Sequence, residues 1–219
     1  MSSEVLERDG NETPGVYETH LTVAATTDVD ALAGWARGHG YKFGHILLDK
    51  GATASQPMLT RGGRGTLSEQ VRIAYDSAGE LDADGFKVVR VKVEGRTSND
   101  DVPVTDAEAE RRDPKLYFEH HVKVLLDGED TIPALMAAVQ PHGGHLSRNA
   151  RRTRPDGQQE RFVTQRCYQA GRESAKGQLE ALLKAVEPYE VLEIEEEYVV
   201  FDDNLAVDSG WIASATEQA

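Results

Sequence analysis

The residues best suited to chemistry occur in two similar phrases. Tyr17–Val23 reads Y-E-T-H-L-T-V, and Phe118–Val124 reads F-E-H-H-V-K-V. Each is aromatic–Glu–x–His–aliphatic–x–Val. Imidazole titrates near neutral pH, so one histidine can accept a proton while another donates one. His20 and His121 are therefore a candidate acid–base pair, with Glu18 and Glu119 placed to orient the rings. The same four side chains also form a ligand set of two nitrogens and two carboxylates. Such a set suits a divalent Zn, Fe, Mn or Ni ion acting as a Lewis acid.

The elements that must carry these residues repeat along the chain. In the first half a strand (17–25) leads to a helix (29–39) that stops at Gly40. Strands around 43–49 and 57–61, a helix over 67–83 and a strand over 86–94 follow. In the second half a strand (117–126) is followed by a helix (131–140), a hairpin turning at Pro155-Asp156-Gly157, a helix (174–186) and a strand (190–201). Both halves read βαββαβ, the split ferredoxin-like unit. Glu18 aligns with Glu119, His20 with His121, Thr60 with Thr164, and Phe86 with Tyr189. The expected fold is thus α+β, a tandem duplication of a ferredoxin-like unit with a cleft between two sheets. The expected divisions are a disordered leader (1–15), a first unit (16–95), a polar linker (96–115) with a short helix at 105–112, a second unit (116–204), and a tail (205–219) that packs back before fraying.

Side chains alternate faces along a strand. Tyr17, Leu21 and Val23 share an apolar face, and Glu18, His20 and Thr22 the opposite one. Phe118, Val122 and Val124, with His120 among them, oppose Glu119, His121 and Lys123. On the last strand of the first half, Arg90, Lys92 and Glu94 fall on the polar face. On the last strand of the second half, Leu192 and Ile194 are expected inward and Glu193, Glu195 and Glu197 outward. Thr60, Thr164 and Arg166 join from the third strands. A half-exposed antiparallel sheet also shows such alternation with no site at all, its polar residues solvated or paired across strands.

His20-Leu21-Thr22-Val23 fits an H-x-T-hydrophobic phrase, and two such phrases facing each other across a duplicated α+β cleft resemble the 2H phosphoesterase family. The resemblance implies one histidine as general base and the other as general acid, with the threonine hydroxyls holding phosphate. The second copy departs from it, with Lys123 where that family has Thr or Ser. The first functional expectation is therefore an enzyme acting on a small phosphorylated or otherwise anionic metabolite, with no cofactor. Thr22, Lys123, Thr60, Arg61, Arg90, Thr164 and Arg166 would bind the ligand. The second is a metal-dependent lyase, isomerase or oxygenase using Glu18, His20, Glu119 and His121. The third is a non-catalytic small-ligand module.

Other features are less specific. R-G-G-R-G at 61–65 reads as a turn or an anion cradle. The basic run 149–155 lies in a hairpin arm. His39, His142 and His145 follow helix ends, where the helix dipole favours a cation. Cys167, the only cysteine, reads as a buried inert thiol and is consistent with a reducing cytoplasm. The net charge of −14 over 219 residues argues against a general nucleic-acid binder. No apolar run is long enough for a membrane span.

Overall fold

The computed structural model describes residues 13–152 and 154–212. Most of the expected leader and the end of the expected tail lie outside the described residues. The first half contains β1 (Gly15–Val23), α1 (Val29–Gly38), β2 (Lys42–Leu48), β3 (Ser55–Gly65), α2 (Leu67–Ala83) and β4 (Val88–Arg96). A one-turn helix, α3 (Asp106–Ala109), lies in the connection. The second half contains β5 (Tyr117–Leu126), α4 (Ile132–Val139), β6 (Gly144–Asn149), β7 (Gln159–Tyr168), α5 (Arg172–Ala185) and β8 (Glu190–Asp202). A 3₁₀ turn over Leu205–Asp208 follows.

Local chemistry sets the helix starts. The Asp28 carboxylate accepts from the Asp30 and Ala31 amides at the head of α1. Thr66 and Glu69 form a reciprocal capping box at the head of α2. The glycine-rich 61–65 stretch is not a turn. It continues β3, with Glu18 opposite Gly62 and Gly15 opposite Gly65. At Gly63 a Cβ atom would collide with the Gln70 side chain, which reaches back from α2.

The strand order is β1-β3-β2-β6-β7-β5-β8-β4, closed on itself. Within each half the first strand lies between the third and fourth, as the sequence indicates. The association of the halves differs from the expected cleft. Each half has two sheet edges with unpaired backbone groups. Joining β4 to β8 and β2 to β6, both antiparallel, satisfies those edges and closes one barrel.

The helices cover the outside. Leu21, Val23, Leu59 and Val91 pack with Leu32, Trp35, Ala74 and Leu81. Val122, Val124, Leu146 and Val163 pack with Leu135, Val139, Leu179 and Leu182. A third cluster, including Tyr17, Val93, Phe118 and Tyr198, draws on strands of both halves. The polar faces of the strands therefore turn inward. Among the described residues no helix is long and apolar enough to cross a membrane.

One local expectation fails. Leu192 and Ile194 are not in the core but 37% and 44% exposed. The pairing of β4 with β8 stops at Arg96 opposite Glu197, so residues 190–196 run past it with one edge unpaired. The connection at 96–115 packs against the rest of the chain. Val102 and Ala109 are buried, and the Arg172 amide donates to the Pro103 carbonyl at 2.9 Å.

That docking has a steric signature. A methyl group on Gly171 would lie 2.6 Å from the Val104 carbonyl oxygen and 2.5 Å from Thr105 Cα. Gly171→Ala is expected to lower the unfolding free energy by about 1–3 kcal/mol, as overpacking does. Denaturant unfolding of the variant measures it, and an unchanged midpoint would show that the connection yields freely.

Candidate functional site

The inward residues of β1, β4, β5 and β7 meet around a cavity of about 270 Å³. Strand register explains the meeting. His20 stands opposite Thr60 on β3 and Lys92 on β4, while His121 stands opposite Thr164 on β7 and Glu195 on β8. Residues directly opposite each other share a face. Each histidine uses its ring in the same way: His20 Nδ1 is hydrogen-bonded to Thr60 Oγ1 at 2.9 Å, and His121 Nδ1 to Thr164 Oγ1 at 3.0 Å.

The other ring nitrogens face carboxylates. His20 Nε2 is 2.6 Å from Glu94 Oε2, with Glu18 Oε2 at 3.8 Å. His121 Nε2 is 3.3 Å from Glu119 Oε2. Lys92 joins the two pairs, its Nζ 2.5 Å from both Glu94 Oε1 and Glu119 Oε2. The result is a continuous polar chain: Thr60, His20, Glu94, Lys92, Glu119, His121, Thr164. Burial opposes charge on Glu94 and Glu119, yet both are held well below the usual carboxylate range. For Glu94 the depressing neighbours are first His20 and Lys92, and for Glu119 first Lys92 and Arg166. Burial also opposes charge on His121, but Glu119 outweighs it and the pKa rises.

The arginines expected to meet an anion have carboxylate partners already. Arg90 is bound by Asp202 and, at 2.8 Å, by Asp208. Arg166 is bound by Glu119 at 2.7 Å and Asp208 at 2.6 Å. Thr22 lines the cavity, as do Thr60 and Thr164. Two expected ligand residues do not. Arg61 faces outward, exposed, with its guanidinium over the Tyr41 ring. The reason is parity, since it pairs with outward-facing Thr19. Lys123 points inward but lies beyond the cavity, held between Glu160 and Glu193 at 3.5 Å each and over the Phe162 ring.

The structure adds residues outside the sequence-derived set. Glu94, on the polar face by alternation, is the carboxylate nearest His20. Asp208 comes from beyond the last strand and binds Arg90, Arg166 and, at 2.9 Å, Gln56. Trp211 returns with it to line the cavity. No local signal marks Asp208, whose partners are over 40 residues away at the nearest. His145 is not a helix cap. It lies on β6 opposite Thr164, and burial, with Lys50 and Arg166, pushes its pKa down to about 4.

The cavity has two characters. Phe43, Ile46, Leu48, Met58, Phe162 and Trp211 make its apolar wall. The histidine–carboxylate chain makes the polar one. Glu18, Glu195 and Glu197 also line an adjoining pocket of about 720 Å³. Burial, then repulsion from and hydrogen bonding to Glu94, pushes the Glu197 pKa up to about 11. Cys167 is buried, its pKa raised to about 12 by that burial, and takes no part.

No protein-family profile matches the chain, and no curated protein does. Solved structures resemble it distantly. A putative monooxygenase from Lactobacillus acidophilus is 15% identical over 93% of this chain and 100% of its own, with a TM-score of 0.32. The acetolactate synthase small subunit from Thermotoga maritima is 13% identical over 84% and 94%, with a TM-score of 0.28. Chlorite dismutase from Candidatus Nitrospira defluvii is 12% identical over 92% and 96%, with a TM-score of 0.27. Identity and TM-score at this level assign neither a family nor an activity.

The Asp208 contacts predict a pH effect on stability. Burial raises its pKa, but Arg90 and Arg166 outweigh that and bring it to about 2, below the ordinary 3.8. The unfolded chain therefore binds the proton first, and the stabilisation is complete above about pH 4 and lost as pH falls toward 2. The shift corresponds to about 2 kcal/mol. Asp208→Asn is expected to be less stable at pH 6 and to converge with the wild type near pH 2. Parallel unfolding curves across that range would contradict the assignment.

Proposed function

We propose that the barrel interior is an acid–base site for a small molecule that is partly apolar and carries one polar, proton-exchanging group. The cavity of about 270 Å³, with an aromatic and aliphatic wall opposite the histidine chain, carries this reading. His121 is the proton-transfer residue. Its side chain is 23% exposed, toward the cavity, against 11% for His20, and its Nε2 sits at 3.3 Å from Glu119 rather than in a tight bond. Thr164 fixes its other nitrogen, and Glu119 stabilises the imidazolium once the proton arrives. His20, tied to Glu94 and Thr60, completes the polar wall. The engagement of Arg90, Lys92 and Arg166 by carboxylates favours a neutral or weakly polar substrate over a phosphate ester. The matching roles of Thr60 with Thr164 and His20 with His121 support descent of the two halves from one duplicated unit.

A metal-dependent enzyme is the second reading. The observation that favours it is convergence of donor atoms: Glu18, His20 and Glu94 form one set and Glu94, Glu119 and His121 another, each within 4.8 Å.

The first reading is tested by exchange. Small aromatic and aliphatic carbonyl compounds, and phosphate mono- and diesters for comparison, are incubated with the protein in deuterated water and followed by NMR. Protein-dependent exchange of a proton on the carbonyl compounds is expected. His121→Gln should slow it by about 10²–10⁴-fold while binding persists. Exchange that survives in this variant, or turnover confined to phosphate esters, would overturn the reading.

A further inference from the structure

We infer that the barrel takes up one divalent transition-metal ion, not two, and that it does so at Glu18, His20 and Glu94, because Lys92 already serves as the cation of the neighbouring set. This rests on the metal reading above and adds which donors are used.

The two donor sets share Glu94 but differ in their surroundings. In the set Glu94, Glu119 and His121, both oxygens of Glu119 are engaged. Arg166 Nε is 2.7 Å from Oε1, and Lys92 Nζ is 2.5 Å from Oε2. The same ammonium is 2.5 Å from Glu94 Oε1. A dication entering there would have to displace a buried ammonium or lie against it. Like charges at such range in a water-poor interior repel strongly. Lys92 is 8% exposed and its ammonium is held between the two carboxylates, so an incoming ion meets it in place.

The set Glu18, His20 and Glu94 is arranged differently. His20 Nε2 lies between Glu94 Oε2 at 2.6 Å and Glu18 Oε2 at 3.8 Å. The lysine paired with Glu94 reaches Oε1, which leaves Oε2 directed at the imidazole. Supporting contacts of the kind that hold metal ligands are in place: Thr60 on His20 Nδ1 at 2.9 Å, and Lys92 on the far oxygen of Glu94. Glu18 lines both the cavity and the adjoining pocket and its side chain is 34% exposed, so an ion there can be reached from solvent. One imidazole nitrogen and two carboxylates suit Mn²⁺, Fe²⁺, Co²⁺ or Zn²⁺. In the tautomer whose Nδ1–H donates to Thr60 Oγ1, the Nε2 lone pair is presented to the ion.

The test uses the full chain, stripped with chelator, titrated with Co²⁺, dialysed, and read by elemental analysis and visible absorption. One equivalent per chain is expected. Glu18→Gln should weaken binding at least tenfold, and His121→Gln should still bind one equivalent. The Glu18 side chain is 34% exposed, so this variant keeps the fold, which a thermal melt checks. Two equivalents, or binding that is lost in His121→Gln and intact in Glu18→Gln, would overturn the assignment while leaving a metal reading in place. No retention of Co²⁺, Mn²⁺ or Zn²⁺ would overturn both, and the proton-exchange reading of His121 would stand or fall on its own measurement.

Discussion

Lys92 holds together two carboxylates that would otherwise repel each other in a buried space. Glu94 comes from the first half of the chain and Glu119 from the second, each 2.5 Å from its ammonium. In the barrel β4 and β5 are not neighbours, because β8 lies between them. The contact therefore reaches past a strand and ties the two halves through their interior. Removing a charge from so enclosed a group leaves its partners uncompensated, which costs far more than the pair contributes over an apolar replacement. Such a cluster fixes geometry more than it adds stability.

The rest of the site follows from that bridge. With one oxygen of Glu94 on Lys92, the other faces His20. With Glu119 shared between Lys92 and Arg166, Arg166 is also turned to Asp208, and Asp208 brings the C-terminal segment and Trp211 to the cavity wall. Barrel closure makes this possible, since it puts both polar sheet faces inside one enclosure. The helices are then left to cover only apolar strand faces. One interior thus carries a charged wall and an aromatic wall, the combination that the proposed recognition of a partly apolar molecule requires.

Much of this was legible in the residues. The period of two along Tyr17–Val23 and Phe118–Val124 places Glu18, His20, Glu119 and His121 on one kind of face, and the structure brings them to one cavity. Alternation also put Arg90, Lys92 and Glu94 there. Their roles were not legible, because alternation tells which face a side chain takes but not which charge from a distant strand will meet it. Arg90 and Arg166 looked free for an anion until Asp202 and Asp208 were seen to hold them. The edge pairing that turns two sheets into a barrel leaves no mark in local sequence. Arg61 was misplaced because β3 runs on through 61–65, which shifts it to the outward parity. Leu192 and Ile194 have the pattern of buried residues, yet their strand outruns its neighbour, and apolar character alone does not bury a side chain with nothing packed upon it.

The most direct test of the central claim is the unfolding free energy of Lys92→Met. The methionine fills similar space without the charge and leaves Glu94 and Glu119 facing each other. If the ammonium holds the interior together, stability at neutral pH should fall by about 3–5 kcal/mol, and adding Glu94→Gln should restore part of the loss. A fall below about 1 kcal/mol would mean that the two carboxylates do not depend on Lys92, and the bridge between the halves would have to be sought elsewhere.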